Sequence, residues 1–319
     1  MRTSRLAMPV ATLRVATLAA LLTTSLPLIA GPPAAKSAAT AAAPVDPKIS
    51  VAAIYDYPFA KFGLPAGSST IGKGISNAGE IVGYVQFAAG QQGFIRNADG
   101  TFSPPLIHPA DTTGVTTFAS GVNINGTIAG GYLILNGFVL ENGKYKDSAN
   151  EQFYGINDLG EMCGSFNGLN PTPAIPGLIA FSGQKTTFFA PGAIGKTSVT
   201  TAEAINNLGD VAGSFTIDSK VYNGFYRSAN GTINLLSYSK ATQTLVHGLN
   251  DHGWLCGHYL DAQNVQHAFV IIEGNLVSYD YPGGIGTSFN SINNSGLISG
   301  RYTTADGVFH GLILKVEKN

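Results

Sequence analysis

From residue 49 onward, apolar positions fall in short runs broken by Asn, Gly, Asp and Ser. Within the runs, large apolar residues alternate with small or polar ones, the period-two pattern of strands packed on a face. Nearly the same phrase recurs six times: GISNAGEIVGY from Gly74, GVNINGTIAGG from Gly121, GINDLGEMCGS from Gly155, AINNLGDVAGS from Ala204, GLNDHGWLCGH from Gly248 and SINNSGLISGR from Ser291. A second phrase follows each copy: QGFIR, NGFVL, PGLIA, NGFYR, HAFVI and HGLIL, beginning at Gln92, Asn136, Pro176, Asn223, His267 and His310. Each period predicts four strands. The first two join through Asn-x-x-Gly, where the Asn side chain bonds to backbone ahead and Gly accepts a positive φ. The third and fourth join through similar turns, such as Asp99-Gly100, Asn142-Gly143 and Asn230-Gly231.

Four antiparallel strands per period of about 45 residues are the pattern of a propeller blade, and blades must stack to bury both faces. The expected fold is all-β: a six-bladed β-propeller of four-stranded antiparallel blades over residues 49–319. The second strand carries a large aliphatic column (Ile81, Ile128, Met162, Val211, Leu255, Ile298), then a small one (Val82, Ala129, Cys163, Ala212, Cys256, Ser299), then glycine in all six copies. Glycine inside a strand signals close approach of another backbone or ring. The sixth repeat ends after its third strand, and the missing fourth phrase stands at the other end: AIYDYP near Ile54 matches VSYDYP at Val277–Pro282. Residues 50–56 are therefore expected to pair with residues 309–316 and complete the last blade. Cys163 and Cys256 hold one column two repeats apart, too far for a disulfide, which needs Cα atoms within about 4.4–6.8 Å.

The paired phrases resemble the HAF repeat, also called the probable extracellular repeat, and the literal letters occur at His267-Ala268-Phe269. The resemblance covers about residues 49–319 and implies a bacterial, exported, propeller-like protein. It supplies no activity and no catalytic residue. The histidine of the motif is replaced by Gln92, Asn136, Pro176 and Asn223 in the other four copies.

The first residues differ from the rest. Arg2, Arg5 and Arg14 precede an apolar run from Val15 to Ala30, and an Ala/Pro-rich stretch follows. This is the form of a secretory signal over residues 1–30 with a flexible linker over 31–48. The run is shorter than the roughly 20 residues that span a bilayer, so an extracellular or periplasmic protein without a membrane span after cleavage is expected. Removing residues 1–43 takes away four bases and no acid, moving the net charge from −1 to −5. A mildly acidic surface argues against nucleic acid as a partner, because phosphate contacts need clustered Lys and Arg. Only 12% of residues are charged, against about 25% in ordinary domains.

Candidate chemistry is sparse. APGAIGKT at Ala190–Thr197 lacks the first glycine of a phosphate-binding loop, and a strand-like stretch follows it where that motif needs a helix. His252, His258 and His267 cluster in the fifth repeat, but His252 falls in the turn at the opposite end of the blade from the other two, so no metal is expected. Glu80, Glu161 and Asp210 follow the turn glycine in three repeats and form a ring of spaced charges, not a catalytic pair. No catalytic residue and no cofactor is assigned. The leading reading is an exported non-enzymatic binding or interaction module, expected as a monomer, whose partner is a glycan or a cell-envelope protein. The alternatives are an exported carbohydrate-active hydrolase or lyase and a purely structural surface protein. Strand direction places the variable connections, from strand two to three and from blade to blade, on one face. There Tyr84, His108, Tyr132, Asn170, Asp218, Tyr222, Asp261 and Tyr302 are the candidate binding residues.

Overall fold

The computed structural model describes residues 47–166 and 174–318; the expected leader, nearly all of the spacer, and Asn170 lie outside the described residues. The first strand, β1 (Lys48–Tyr55), is followed by β2 (Ser69–Ile75), β3 (Ile81–Phe87) and β4 (Gly90–Arg96) of the first repeat. The second repeat forms β5 (Phe118–Val122), β6 (Ile128–Tyr132), β7 (Asn136–Glu141) and β8 (Lys144–Ala149). The third forms β9 (Glu151–Ile156), β10 (Met162–Phe166), β11 (Gly177–Phe181) and β12 (Gln184–Phe188). The fourth forms β13 (Val199–Ile205), β14 (Val211–Thr216), β15 (Tyr222–Arg227) and β16 (Ile233–Leu236). The fifth forms β17 (Gln243–Leu249), β18 (Leu255–Leu260), β19 (Gln266–Ile272) and β20 (Asn275–Tyr279). The sixth forms β21 (Gly286–Ile292), β22 (Leu297–Thr303) and β23 (Phe309–Glu317).

This is an all-β propeller fold of four-stranded antiparallel blades. Hydrogen bonding does not divide it into six separate four-stranded sheets. Three sheets have four strands, β2–β4 forms a three-stranded sheet, and the remaining strands join into one eight-stranded sheet. Inside the large sheet a single parallel pair, Gln266 with Gly286, connects β19 to β21. At its other end β1 pairs antiparallel with β23, from Lys48 opposite Glu317 to Tyr55 opposite Gly311.

The Asn-x-x-Gly turns do more than reverse the chain. Asn206 Oδ1 accepts from the backbone N–H of Leu208 and Asp210, and Asn123, Asn157, Asn250 and Asn293 repeat the arrangement. Each Nδ2 then donates to the turn of the next repeat: Asn123 to Asn157 O, Asn157 to Asn206 O, Asn206 to Asn250 O and Asn250 to Asn293 O, at 2.9–3.2 Å. Asn293 carries the series on to Ser76 O at 3.0 Å, where it ends, because serine has no amide to donate onward. One residue further on, Asn77, Asp158, Asn207, Asp251 and Asn294 bond to one another in an inner rosette. Asn206→Ala removes two turn bonds and one inter-repeat bond among buried groups. At about 1 kcal/mol each, it is expected to lose about 2–3 kcal/mol in urea unfolding. Asn206→Asp, which sets a second oxygen against Asn250 O and Asp210 Oδ2, should lose at least as much; equal stability of Asn206→Ala and the parent would contradict the turn network.

The large aliphatic column packs between blades, and the third strands add Phe94, Phe138, Leu178, Phe225, Phe269 and Leu312, all fully buried. A second latch repeats where one repeat hands over to the next. The backbone N–H groups of Tyr57, His108, Ala190, Tyr238 and Tyr281 donate to Thr70, Thr117, Thr200, Thr244 and Thr287 Oγ1 at 2.9–3.1 Å. In the third repeat Glu151 occupies the threonine position, buried and paired with Lys185 Nζ at 2.6 Å. Cys163 and Cys256 are buried free thiols, as their spacing requires; burial raises both thiol pKa values, which suits small apolar side chains.

Candidate functional site

The inner strand of every repeat slips register against its neighbour at one place: at Lys73–Gly74, Ser120, Tyr154, Glu203, His247 and Asn290. A β-bulge re-aims the extra residue, and all six of these side chains line a cavity of about 80 Å³ on the propeller axis. The glycine column makes the bulge sterically feasible. A Cβ at Gly83, Gly130, Gly164, Gly213, Gly257 or Gly300 would fall on the carbonyl oxygen of Ile71, Phe118, Gln152, Thr201, Leu245 or Ser288, the inner-strand carbonyls displaced toward it.

A polar chain runs through the cavity wall. Asn290 Nδ2 donates to Gly72 O at 2.7 Å, which turns Asn290 Oδ1 toward Ser288 Oγ at 3.0 Å. Ser288 Oγ lies 3.2 Å from His258 Nδ1, and that nitrogen lies 2.9 Å from His247 Nε2. His247 Nδ1 has no hydrogen-bond partner and stands 3.7 Å from Glu203 Oε2. Burial pushes the Glu203 carboxyl up, but His247 and Lys73 outweigh it and hold its pKa below the usual range. Burial lowers both imidazoles: in His247 it overcomes the pull of Glu203, and in His258 the proximity of His247, Arg301 and Lys73 adds to it. Burial and the Glu203 charge push Tyr154 up to about 12.

These shifts fix a pH dependence. His247 and His258 stay neutral in the fold, while in the unfolded chain they take up protons below about pH 6.5. Stability is therefore lost as pH falls from about 6.5 toward the lowered folded values, by up to about 1.4 kcal/mol per pH unit for each histidine. His267 has the opposite sign: burial lowers it, but Asp261 and Asp280 raise it further, so its contribution is present at low pH and lost as pH rises through its folded value. Urea unfolding at pH 7 and pH 5.5 should show a net loss at the lower pH, and His258→Gln should flatten the difference. An unchanged slope in that variant would contradict the assignment.

Apart from Asn170, the sequence-based candidates lie on or beside the connections from strand two to three and from blade to blade and are not brought into one site. His108 is buried, stacked on Tyr132 at 3.7 Å between ring centroids and bonded to Asp147 at 2.8 Å; Tyr132 is buried with it. Asp218 caps its own hairpin by accepting from Lys220 and Val221 N–H. Asp261 does the same for Gln263 and Val265 and also bonds His267. Tyr302 is half-buried, stacked between Tyr281 at 4.0 Å and His310 at 5.1 Å. Tyr84 and Tyr222 are half-buried. The motif histidine is explained by contacts here: His267 Nδ1 bonds Asp280 at 2.8 Å, and His310 Nδ1 bonds Asp56 of the strand-closing phrase at 3.0 Å. Among the described residues no group of three or more His, Cys, Asp or Glu is arranged to hold a metal. His252, by contrast, bonds Asn294 O on the turn side. Glu161 and Asp210 serve the turns, accepting from Asn157 Nδ2 and from the Tyr226 hydroxyl. The 190–197 segment leads into a strand, β13, with no helix to cradle a phosphate.

The more prominent feature of this loop face is aliphatic. Ile107, Leu133, Ile134, Leu135, Ile194, Ile217, Val221, Val265 and Ile285 all stand exposed on its connections, with Ile134 and Ile194 each 77% accessible. Leu133 and Ile134 sit at the tip of a hairpin with φ of 48° and 66°, a conformation that costs a bulky residue energy and that turns usually assign to Asn or Gly.

No protein-family model and no curated protein matches the chain. Among solved structures, it is similar to an arginine-to-alanine triple mutant of AofleA from Arthrobotrys oligospora, with a TM-score of 0.50 and 13% identity over 86% of this chain and 90% of that one. It is also similar to a fungal lectin from Aleuria aurantia described as a six-bladed β-propeller with a novel fucose recognition mode, with a TM-score of 0.45 and 9% identity over 78% and 92% of the two chains. A catalytically inactive virginiamycin B lyase from Staphylococcus aureus matches with a TM-score of 0.43 and 12% identity over 84% and 88%. At these identities the likeness extends to the fold alone.

Proposed function

We propose that this chain is an exported, non-enzymatic interaction module: a six-bladed propeller whose loop face docks on an apolar surface of a cell-envelope protein. The blade count is supported by the six repeats and by the five hydrogen bonds that link the six turns in order, from Asn123 round to Ser76. It is supported too by the single-pair joint at Gln266–Gly286, which divides the eight-stranded sheet into two sets of four. Strand-like bridges at Phe102 and Leu106 supply a fourth element beside β4. Export rests on the charged, then apolar, then Ala/Pro-rich order of the first 48 residues.

The observation that carries the docking reading is the exposed aliphatic set on the variable connections, with an apolar hairpin tip held at positive φ. Exposed apolar residues gathered on variable loops of a repeated scaffold favour docking, and nine stand on this face against Ile124, Leu159 and Leu208 in the Asn-x-x-Gly turns of the opposite face. Aliphatic groups suit a protein surface, whereas sugar recognition relies on aromatic faces and free polar groups. Here the aromatic rings of the loop face are stacked on one another, and the His267 and His310 nitrogens are engaged by aspartates. The test is co-sedimentation of the purified protein with cell envelopes. Ile134→Ser/Ile194→Ser is expected to reduce the bound fraction at least fivefold with melting unchanged. Equal binding by that variant, or binding abolished by a soluble glycan extract and not by protease treatment of the envelopes, would overturn it.

A further inference from the structure

The axial wall leaves two buried side-chain groups without a hydrogen-bond partner, and at one of them the hydrogen positions can be deduced. Asn290 Nδ2 is committed to Gly72 O, so its Oδ1 takes the Ser288 proton. Ser288 Oγ is then an acceptor toward His258 Nδ1, which must carry hydrogen and share it with His247 Nε2. A neutral His247 accepting at Nε2 bears its own hydrogen at Nδ1. That N–H is buried, has no acceptor within reach, and faces the Glu203 carboxylate across 3.7 Å. Ser120 Oγ, on the same cavity, is also buried without a partner. An oxygen placed to accept from His247 and donate to Glu203 must belong to a hydroxyl or to water, because only these do both.

Charge adds a second requirement. Lys73 lines the cavity, and Arg301, stacked over Phe309 at 3.9 Å and outside the lining, is close enough to act on both histidines by charge. Neither forms an ion pair among the described residues, and Glu203 is the one carboxylate beside them. Asp158 and Asp251 lie at the rosette end of the cavity, their oxygens filled by the amides of Asn77, Asn207 and Asn294. Lys73 and Arg301 together thus carry one more charge than the single Glu203 carboxylate offsets. The cavity volume of about 80 Å³ admits a few waters or one molecule of a few heavy atoms.

We propose that the axial cavity binds a compact hydroxycarboxylate, its hydroxyl bonded from the cavity side to both His247 Nδ1 and Glu203 and its carboxylate on Lys73. This site is separate from the loop face and does not depend on what docks there. Glycolate is the minimal probe. Calorimetric or ligand-detected NMR titration of the full chain is expected to give at least tenfold tighter binding for glycolate than for acetate, which lacks the hydroxyl, or ethylene glycol, which lacks the charge. Lys73→Met is expected to cost glycolate at least tenfold, and Ile194→Ser nothing. Glycolate binding no tighter than acetate would mean that the cavity holds water only and would overturn the proposal. So would full affinity in a folded Lys73→Met; if that variant does not fold, the probe series on the parent protein decides.

Discussion

Deleting residues 48–58 is expected to leave a chain that is unfolded or aggregated at room temperature. The segment supplies β1, which covers β23 along its length, and it buries Tyr55 and Tyr57 to 7% and 1% exposure. Losing a buried aromatic side chain costs about 3–5 kcal/mol, so two of them approach the whole stability of an ordinary domain, about 5–15 kcal/mol. The deletion also bares the edge of β23, an invitation to pairing between molecules. A permuted chain separates closure from composition. Lys48 lies opposite Glu317, so residues 48–58 can be reattached after residue 318 through a short turn. The permutant should melt within a few degrees of the parent. A deletion variant that melts like the parent, or a permutant as unstable as the deletion, would contradict closure by this strand.

The second large effect concerns the strand glycines. In Gly213→Ala the new methyl group would meet Thr201 O, with Glu203 N and the Phe225 ring at 3.0 Å. Two of these are backbone, and the carbonyl is held by the bulge that aims Glu203 into the cavity. Overpacking of this kind costs about 1–3 kcal/mol, and a rigid backbone contact belongs at the upper end. Gly195→Ala is the control, since its nearest neighbour is the Ser198 hydroxyl at 3.4 Å; a surface change of this kind stays within about 0.5 kcal/mol. Equal effects of the two substitutions in denaturant unfolding would remove the steric basis of the column.

What could be read from the sequence was what the repeat states in letters. The Asn-x-x-Gly phrase names its own turn, because Asn and Gly are the residues that turn requires. The return of Tyr-Asp-Tyr-Pro at the two ends of the chain gave the strand partner of β23. The bulge was not legible as geometry, since a register slip changes no residue type. Its trace was present nevertheless: the position before the Gly-Ile-Asn phrase is polar in every copy, at Lys73, Ser120, Tyr154, Glu203, His247 and Asn290, where its neighbours are apolar or small. His108 reads in the sequence as a candidate binding residue on a variable connection, but it occupies the place of Tyr57, Tyr238 and Tyr281, the ring that docks under the next blade. A histidine among tyrosines hid that equivalence. The motif histidine and the Tyr-Asp-Tyr aspartate are two halves of one contact, visible only when β1 is placed beside β23 or β20 beside β19.

The loop face as the docking face is tested most directly by position-specific photo-crosslinking in the living source cell. A photoreactive residue at Ile194, 77% exposed on the loop face, is compared with one at Leu208, 63% exposed on the turn face. The expected result is a discrete protein adduct from position 194 and none from position 208. Adducts from position 208 alone, or no adduct from position 194 at full expression, would contradict it.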